Sequence, residues 1–566
     1  MRFTQAIGEA RIMARNSIRH TCLPVVSLLL AGSSGWAAEW QWSVPVEGVI
    51  SQETQGHPRA FLWIPPACRR VRAVVVGQHN MQEEPILEHP RFRAALAELD
   101  FGEVWVTPPL DPWFRFDKGA GEQFDGMMAA LARESGYGEL ARAPIAPIGH
   151  SAAASYPWNF AAWNPGRTLA ALSISGQWPY WENPDQPKWG TRTIDGVPGI
   201  VTLGEYEWAD ERAAEGLKQR TAHPKAPMSM LSEPAAGHFD ATDAKVEYLA
   251  LYLKKAAHYR LPSKAAPDGS ATLRPIDPTR EGWLVERWRF NQPPATRAAP
   301  VNRYRGNRDQ AFWFFDDEIA RATERIQATF RGQQADLVGY VQNGNAQNGH
   351  VIPQVDGTHQ QVTIPFLPIG DGLTFQLTGA FLDAVPKGRP ERWTGLKAES
   401  AIGHGTGAIL IDRICGPVEK LSADTFAIRF YRMGMDNRKR SNEIWLVATN
   451  SGDRRYKRAA EQAVLHFPLR NTEGADQRID FPEIANRQRG TGSLKLQAKS
   501  SADAKVYFYV REGPAEVEGD TLRFTAIPPR SRFPLKVTVV AWQWGRGIEP
   551  KLKTADPVER SFWIEK

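Results

Sequence analysis

Ile145-Ala146-Pro147-Ile148-Gly149-His150-Ser151-Ala152-Ala153-Ala154 is the stretch from which the fold of this chain is read. Ile145–Gly149 is a short apolar run of strand length, and Ala152–Ala162 is a small-residue segment with helical character. Between them Ser151 occupies a tight strand-to-helix turn, which would project its hydroxyl from the carboxyl edge of a sheet. The start of a helix adds unbonded N–H groups and partial positive charge beside that hydroxyl. Such a turn packs closely on neighbouring backbone, so small residues are needed two positions either side of the serine. Gly149 and Ala153 meet that need.

Outward from this turn the same alternation continues. Ala60–Ile64, Ala73–Gly77, Val104–Thr107, Ala170–Ser175, Gly199–Leu203 and Met228–Leu231 read as strands, and Gly121–Ser135, Asp210–Arg220 and Ala244–Ala257 as helices. Continuous apolar strands separated by amphipathic helices imply a mostly parallel sheet with helices on both faces. The pattern changes at the polar, Pro/Gly-rich segment Pro262–Ser270, the expected linker. Residues 38–262 are therefore expected to form one α/β domain. Residues 271–475 show mostly alternation, interrupted by a helix at Asp309–Phe330, and read as a β-rich accessory domain. Residues 476–566 show short strands at even spacing and suit an immunoglobulin-like sandwich.

Before all of these, Arg11, Arg15 and Arg19 precede the apolar run Cys22–Ala31 and the small residues around Ala37. This is the pattern of an export signal over residues 1–37, cut after Ala37, and it implies a periplasmic or extracellular protein. The run is half the ~20 residues a membrane span requires, so no membrane association is expected after cleavage. These 37 residues carry +3 of the formal net charge of +6, and the other basic residues are dispersed. A nucleic-acid partner is accordingly not expected. Arg438–Arg440 and Arg454–Arg458 read as charged turns between strands. Cys68 and Cys415 read as two separate buried thiols, although oxidising surroundings would permit a bond between them.

A serine hydroxyl needs a base, and the base needs a carboxylate to orient it. His238, in Pro234-Ala235-Ala236-Gly237-His238-Phe239-Asp240, follows a late strand, and Gly237 lets that loop bend towards the serine. An acid is needed near the strand Gly199–Leu203, where Glu205, Glu207 and Asp210 are the candidates. One oxyanion donor is the backbone N–H of Ala152, and the second is sought in Gly77–Met81, from Gln78, a neighbour's backbone N–H or a side-chain amide. Trp158, Trp178 and Trp181 lie close in sequence to Ser151 and are candidate substrate-stacking residues. The absence of an H-E-x-x-H motif, of paired Cys and of Gly-rich phosphate loops leaves no metal or cofactor expected.

Gly149-His150-Ser151-Ala152-Ala153 resembles the nucleophile elbow of the α/β-hydrolase superfamily, G-x-S-x-G, with Ala153 in place of the last glycine. In that family the partners follow in the order Ser, acid, His, and the acid comes about three residues after a Gly that ends its strand. The resemblance therefore implies Glu207 as the acid, ahead of Glu205 and Asp210, with Ser151 and His238. The oxyanion loop usually carries a His-Gly type sequence, here replaced by Gln78-His79-Asn80. The resemblance spans about residues 40–261 and implies a serine esterase. The final module resembles bacterial Ig-like modules of secreted carbohydrate-active enzymes. Together these point to a polysaccharide or small-molecule ester as substrate. A serine peptidase of the same fold, or a carbohydrate-binding protein with a decayed site, is the rival expectation.

Overall fold

The computed structural model describes residues 39–264, 266, 268–342 and 361–566. The export signal expected at 1–37 lies outside the described residues.

Eight strands form one sheet: β1 (Trp42–Pro45), β2 (Arg59–Trp63), β3 (Ala73–Gln78), β4 (Phe101–Thr107), β5 (Ile145–His150), β6 (Ala171–Ile174), β7 (Gly199–Gly204) and β8 (Met228–Glu233). Their order is β1-β2-β4-β3-β5-β6-β7-β8, parallel from β4 to β8 and antiparallel at β1 and β2. This is the mostly parallel sheet with helices on its faces expected for the first region. The helices are α1 (Glu83–Leu87), α2 (Pro90–Leu99), α3 (Ala120–Ser135), α4 (Tyr156–Trp163), α5 (Ala209–Ala222) and α6 (Asp243–Arg260). Every residue of β3, β4, β5, β7 and β8 is buried, which is why these strands read as mostly apolar runs without strict alternation. Within β3 the two-residue period sends Val75 into one apolar cluster and Val74 with Val76 into another, one on each face. From β3 the chain moves outward to β4 and then returns across β3 to β5. The crevice at the carboxyl ends of β3 and β5 is therefore a topological switch point, where open α/β sheets bind ligands.

The apolar core does not stop at Pro262–Ser270. Strands β9 (Trp283–Glu286), β10 (Ala299–Pro300) and β11 (Ala311–Phe314) form a small sheet, and α7 covers Asp317–Gln327. Leu284, Val285, Trp313, Phe314 and Ile319 join the same buried cluster as Val75 and Leu172. Composition marks the linker, but the hydrophobic unit runs through it. The helix expected over Asp309–Phe330 is shorter. Ala-Phe-Trp-Phe at 311–314 is a fully buried strand, and the helix starts where the Asp316 side chain caps it.

The next strands are β12 (Val338–Gln342), β13 (Gln361–Pro365), β14 (Thr374–Phe381), β15 (Leu410–Cys415), β16 (Val418–Lys420), β17 (Thr425–Ile428), β18 (Glu443–Asn450) and β19 (Ala459–His466). They form two four-stranded sheets, β12-β14-β17-β16 and β13-β19-β18-β15, around a shared core that includes Tyr340, Phe375, Phe426, Ile444 and Leu465. The C-terminal region is also β-rich. In its strand Leu535–Trp542, Val537, Val539 and Ala541 pack into the cluster that holds Val74, while Val540 and Trp542 enter the sandwich core. That strand is thus apolar on both faces because it lies between two cores. Cys68 and Cys415 are both buried and unpaired, and burial pushes the Cys68 thiol up to about 12.

Candidate active site

The turn at Ser151 has the strain its sequence implies. Ser151 adopts φ 51°, the left-handed region, which costs a non-glycine residue about 1–3 kcal/mol. A Cβ at Gly149 would lie 2.0 Å from the Ala153 carbonyl oxygen, so only glycine fits there. Ser151–Ala153 forms a short 3-10 turn before α4. Ala152 stands exposed within it, at a position whose N–H a helical first turn leaves without a partner.

Three expected residues converge. Ser151 Oγ lies 2.8 Å from His238 Nε2, and His238 Nδ1 lies 2.5 Å from Glu207 Oε2. Glu207 is buried in the 3-10 turn Glu205–Glu207 after β7, where Oε1 accepts the Gly204 N–H at 2.8 Å and the Ser175 hydroxyl at 2.9 Å. Burial acts to raise its pKa, but the His238 charge, the His238 hydrogen bond and the Gly204 N–H outweigh burial and hold the carboxyl below its ordinary value. The two competing acids are engaged elsewhere. Glu205 pairs with Lys457 and accepts the Ala235 N–H at 2.9 Å, while Asp210 pairs with Arg287 at 3.0 Å.

The base loop is fixed at the His238 carbonyl. It accepts from the Gln82 amide and from His150 Nε2 at 3.0 Å, and Ser175 Oγ, whose single proton it shares with Glu207, lies 3.0 Å away. With Nε2 donating, a neutral His150 can accept at Nδ1 from the Asn80 amide 3.2 Å away. His150, Ser175 and Gln82 were not singled out from sequence. Only their positions at strand ends or just beyond β3, beside Ser151 in the folded sheet, give them a part.

The Gln78 side chain is engaged away from Ser151. Its amide nitrogen donates to the Asp111 carbonyl at 2.8 Å and its oxygen accepts the Asp111 N–H at 2.8 Å, so both ends serve the loop after β4. Its neighbours tie the β3 loop to the elbow instead. Asn80 donates to the His150 carbonyl at 2.8 Å. Glu83, which the sequence reading passed over, accepts the His150 N–H at 2.5 Å on one oxygen and the Asn80 and Met81 N–H groups at 3.2 and 2.9 Å on the other. An acidic side chain one short loop beyond a buried strand was the available signal.

Two of the three tryptophans are core residues. Trp158 is 2% exposed, donates to the Gln177 carbonyl at 2.7 Å and fills the space a Cβ at Gly199 would need. Trp178 stacks on Phe312 at 5.3 Å and donates to the Arg212 carbonyl. Neither is free to stack on a substrate. Trp181 is 40% exposed and stacks on Trp113 at 6.2 Å and 18°. Among the described residues no cluster of His, Cys, Asp and Glu could hold a metal ion.

No protein-family model matches this chain, and no curated protein does. Solved structures similar to it include a dienelactone hydrolase from Anabaena variabilis (16% identity, TM-score 0.27, covering 39% of this chain and 97% of that one). A poly(3-hydroxybutyrate) depolymerase from Bordetella parapertussis is 15% identical, with TM-score 0.28 over 38% of this chain and 88% of its own. An S-formylglutathione hydrolase from Agrobacterium tumefaciens is 10% identical, with TM-score 0.28 over 38% and 94%.

Proposed function

We propose that this protein is a serine hydrolase that cleaves carboxylic esters through an acyl-enzyme on Ser151. The observation that carries this is the continuous chain from Ser151 Oγ to His238 Nε2 at 2.8 Å and from His238 Nδ1 to Glu207 at 2.5 Å. Ser151 Oγ attacks the ester carbonyl while His238 Nε2 takes the hydroxyl proton. Glu207, kept ionised below its ordinary pKa, accepts the Nδ1 proton in a hydrogen bond and stabilises the imidazolium. The Ala152 N–H faces the developing oxyanion. The tetrahedral intermediate collapses as His238 returns its proton to the leaving alcohol. Water, deprotonated by the same imidazole, then attacks the acyl-serine, and free Ser151 and a carboxylic acid result.

The substrate is proposed to be an acyl or aryl ester carried on polysaccharide. In support, exposed Trp181 stacks on half-buried Trp113, and sugar rings stack well on indoles. The regular strand spacing of the C-terminal module, read as Ig-like, fits a carbohydrate-directed enzyme. The basic and apolar pattern of residues 1–37 fits export to the periplasm or beyond. Among the described residues no helix is long and apolar enough to cross a membrane.

The test is a panel of acetylated, feruloylated and methyl-esterified glycans, nitrophenyl esters and peptides, assayed with the full-length protein. Turnover of esters without peptide cleavage is expected. Peptide cleavage without ester turnover would replace this reading with a peptidase, and glycan binding without turnover would replace it with a binding protein.

A further inference from the structure

Three polar side chains from the β-sandwich, buried Lys457 and Gln462 and half-buried Arg458, reach the two loops that carry Glu207 and His238. All lie at or just before β19, between 218 and 252 residues from the groups they hold. Lys457, 3% exposed, pairs with Glu205 in the turn that ends in Glu207. Arg458 donates to the Ala235 carbonyl at 2.9 Å and pairs with Asp240, bracketing His238 on both sides. Its own carbonyl accepts from the Tyr206 hydroxyl at 3.3 Å, in the acid turn. Gln462, 2% exposed, accepts the N–H of Phe239, the residue next to His238. Gly237, on the other side of His238, lies against the same amide, which a Cβ there would approach to 3.0 Å. Glu205 closes the network by accepting the Ala235 N–H, so one carboxylate joins the acid turn, the base loop and the sandwich.

Ordinary packing between two modules does not require this arrangement. Burying charges carries a desolvation cost that close pairing only partly offsets, and apolar residues of similar size would hold the surfaces together as well or better. Apolar packing is in fact present alongside, where Phe239 meets Ile414, Trp445 and Val464. What directional hydrogen bonds add is a fixed loop geometry. Catalysis needs that most, because misplacing a reacting group by about 1 Å costs on the order of 10²-fold in rate.

We propose that Lys457, Arg458 and Gln462 are positioning residues that hold the acid turn and the base loop in register, so that the β-sandwich completes the active site. This rests on the serine-hydrolase reading of Ser151, Glu207 and His238.

The experiment uses the full-length protein and Gln462→Leu, which keeps the side chain's bulk and removes the acceptor of the Phe239 N–H. Three quantities are read: the rate at which a fluorophosphonate modifies Ser151, its final stoichiometry, and kcat and KM for p-nitrophenyl acetate. We expect full final stoichiometry, with modification rate and kcat lowered roughly ten-fold or more and KM within about two-fold of wild type. A merely structural role would instead lower the stoichiometry while the surviving sites reacted at the wild-type rate, and that result overturns the proposal. Should Gln462→Leu fail to fold, Glu205→Gln combined with Lys457→Met removes both partners of one pair, leaves no buried charge uncompensated and is read the same way. Wild-type protein that is neither modified nor active overturns the serine-hydrolase reading, and with it the positioning role of Lys457, Arg458 and Gln462. Active wild type with variants of unchanged per-site rate overturns the positioning role alone.

Discussion

Glu83→Gln isolates how the β3 loop and the nucleophile elbow are held together. Glu83 is 0% exposed and receives three backbone N–H groups, from His150, Asn80 and Met81. Burial dominates over those bonds and raises the carboxyl from its ordinary 4.5 to about 7. The folded protein therefore binds this proton more tightly than the unfolded chain does. Its contribution to stability is greatest below pH 4.5, is lost as pH rises towards about 7, and is level above that. The gap corresponds to about 3 kcal/mol. Near pH 6 the folded carboxyl is mostly protonated and the unfolded one mostly ionised, so unfolding releases close to ~1 proton from this group. Glutamine has none to release. Its oxygen can keep the Asn80 and Met81 bonds, but its NH₂ then faces the His150 N–H, leaving a buried donor unpaired at about 1–3 kcal/mol. The assay is a proton count in a pH-stat as each protein unfolds in guanidinium near pH 6, with wild type expected to release about one proton more. Equal release from both proteins would refute the raised carboxyl and the pH dependence drawn from it.

His238→Ala should lose about as much activity as removal of the serine, on the order of 10⁶-fold in kcat, because the two act as a unit. Glu207→Gln should fall less far, about 10⁴-fold, since it loses only the imidazole's orientation and the stabilisation of its charge. Steady-state kinetics on p-nitrophenyl acetate separates the two, and a larger loss in Asp210→Asn than in Glu207→Gln would reassign the acid. Trp178→Ala should lower stability by about 3–5 kcal/mol in thermal or denaturant unfolding, because it empties a site between α5 and Phe312. Trp181→Ala should leave stability within about 0.5 kcal/mol and raise KM for a glycan ester; unchanged KM would remove Trp181 from the substrate surface.

The sheet was legible because its strands are buried on both faces. Val74–Val76 and Ile145–Ile148 are apolar without interruption, Ile200–Leu203 is broken only by the small Thr202, and α3 and α5 keep a polar side. Ser151, Glu207 and His238 could be named because each follows a strand, and chain order across a parallel sheet brings its carboxyl-end loops together. The same local reading failed wherever a distant segment supplied the partner. Ala311–Phe314 looked like the start of a helix because its strand character comes from packing within the first region's core. Trp158 and Trp178 looked like ligand platforms because nothing nearby in sequence shows Gly199, Gly216 or Phe312 packed against them. Arg454–Arg458 looked like a solvated turn, yet Lys457 and Arg458 are matched to Glu205 and Asp240. Ion pairs formed across more than two hundred residues leave no periodicity to read.

The most direct test of the central claim is the mass-spectrometric location of a fluorophosphonate adduct on the full-length protein, measured beside the ester-hydrolysis rate of Ser151→Ala. The account predicts a single adduct on Ser151, none in the variant, and a variant rate reduced by several orders of magnitude. An adduct on another residue, or a variant that keeps more than about a tenth of the wild-type rate, would contradict it.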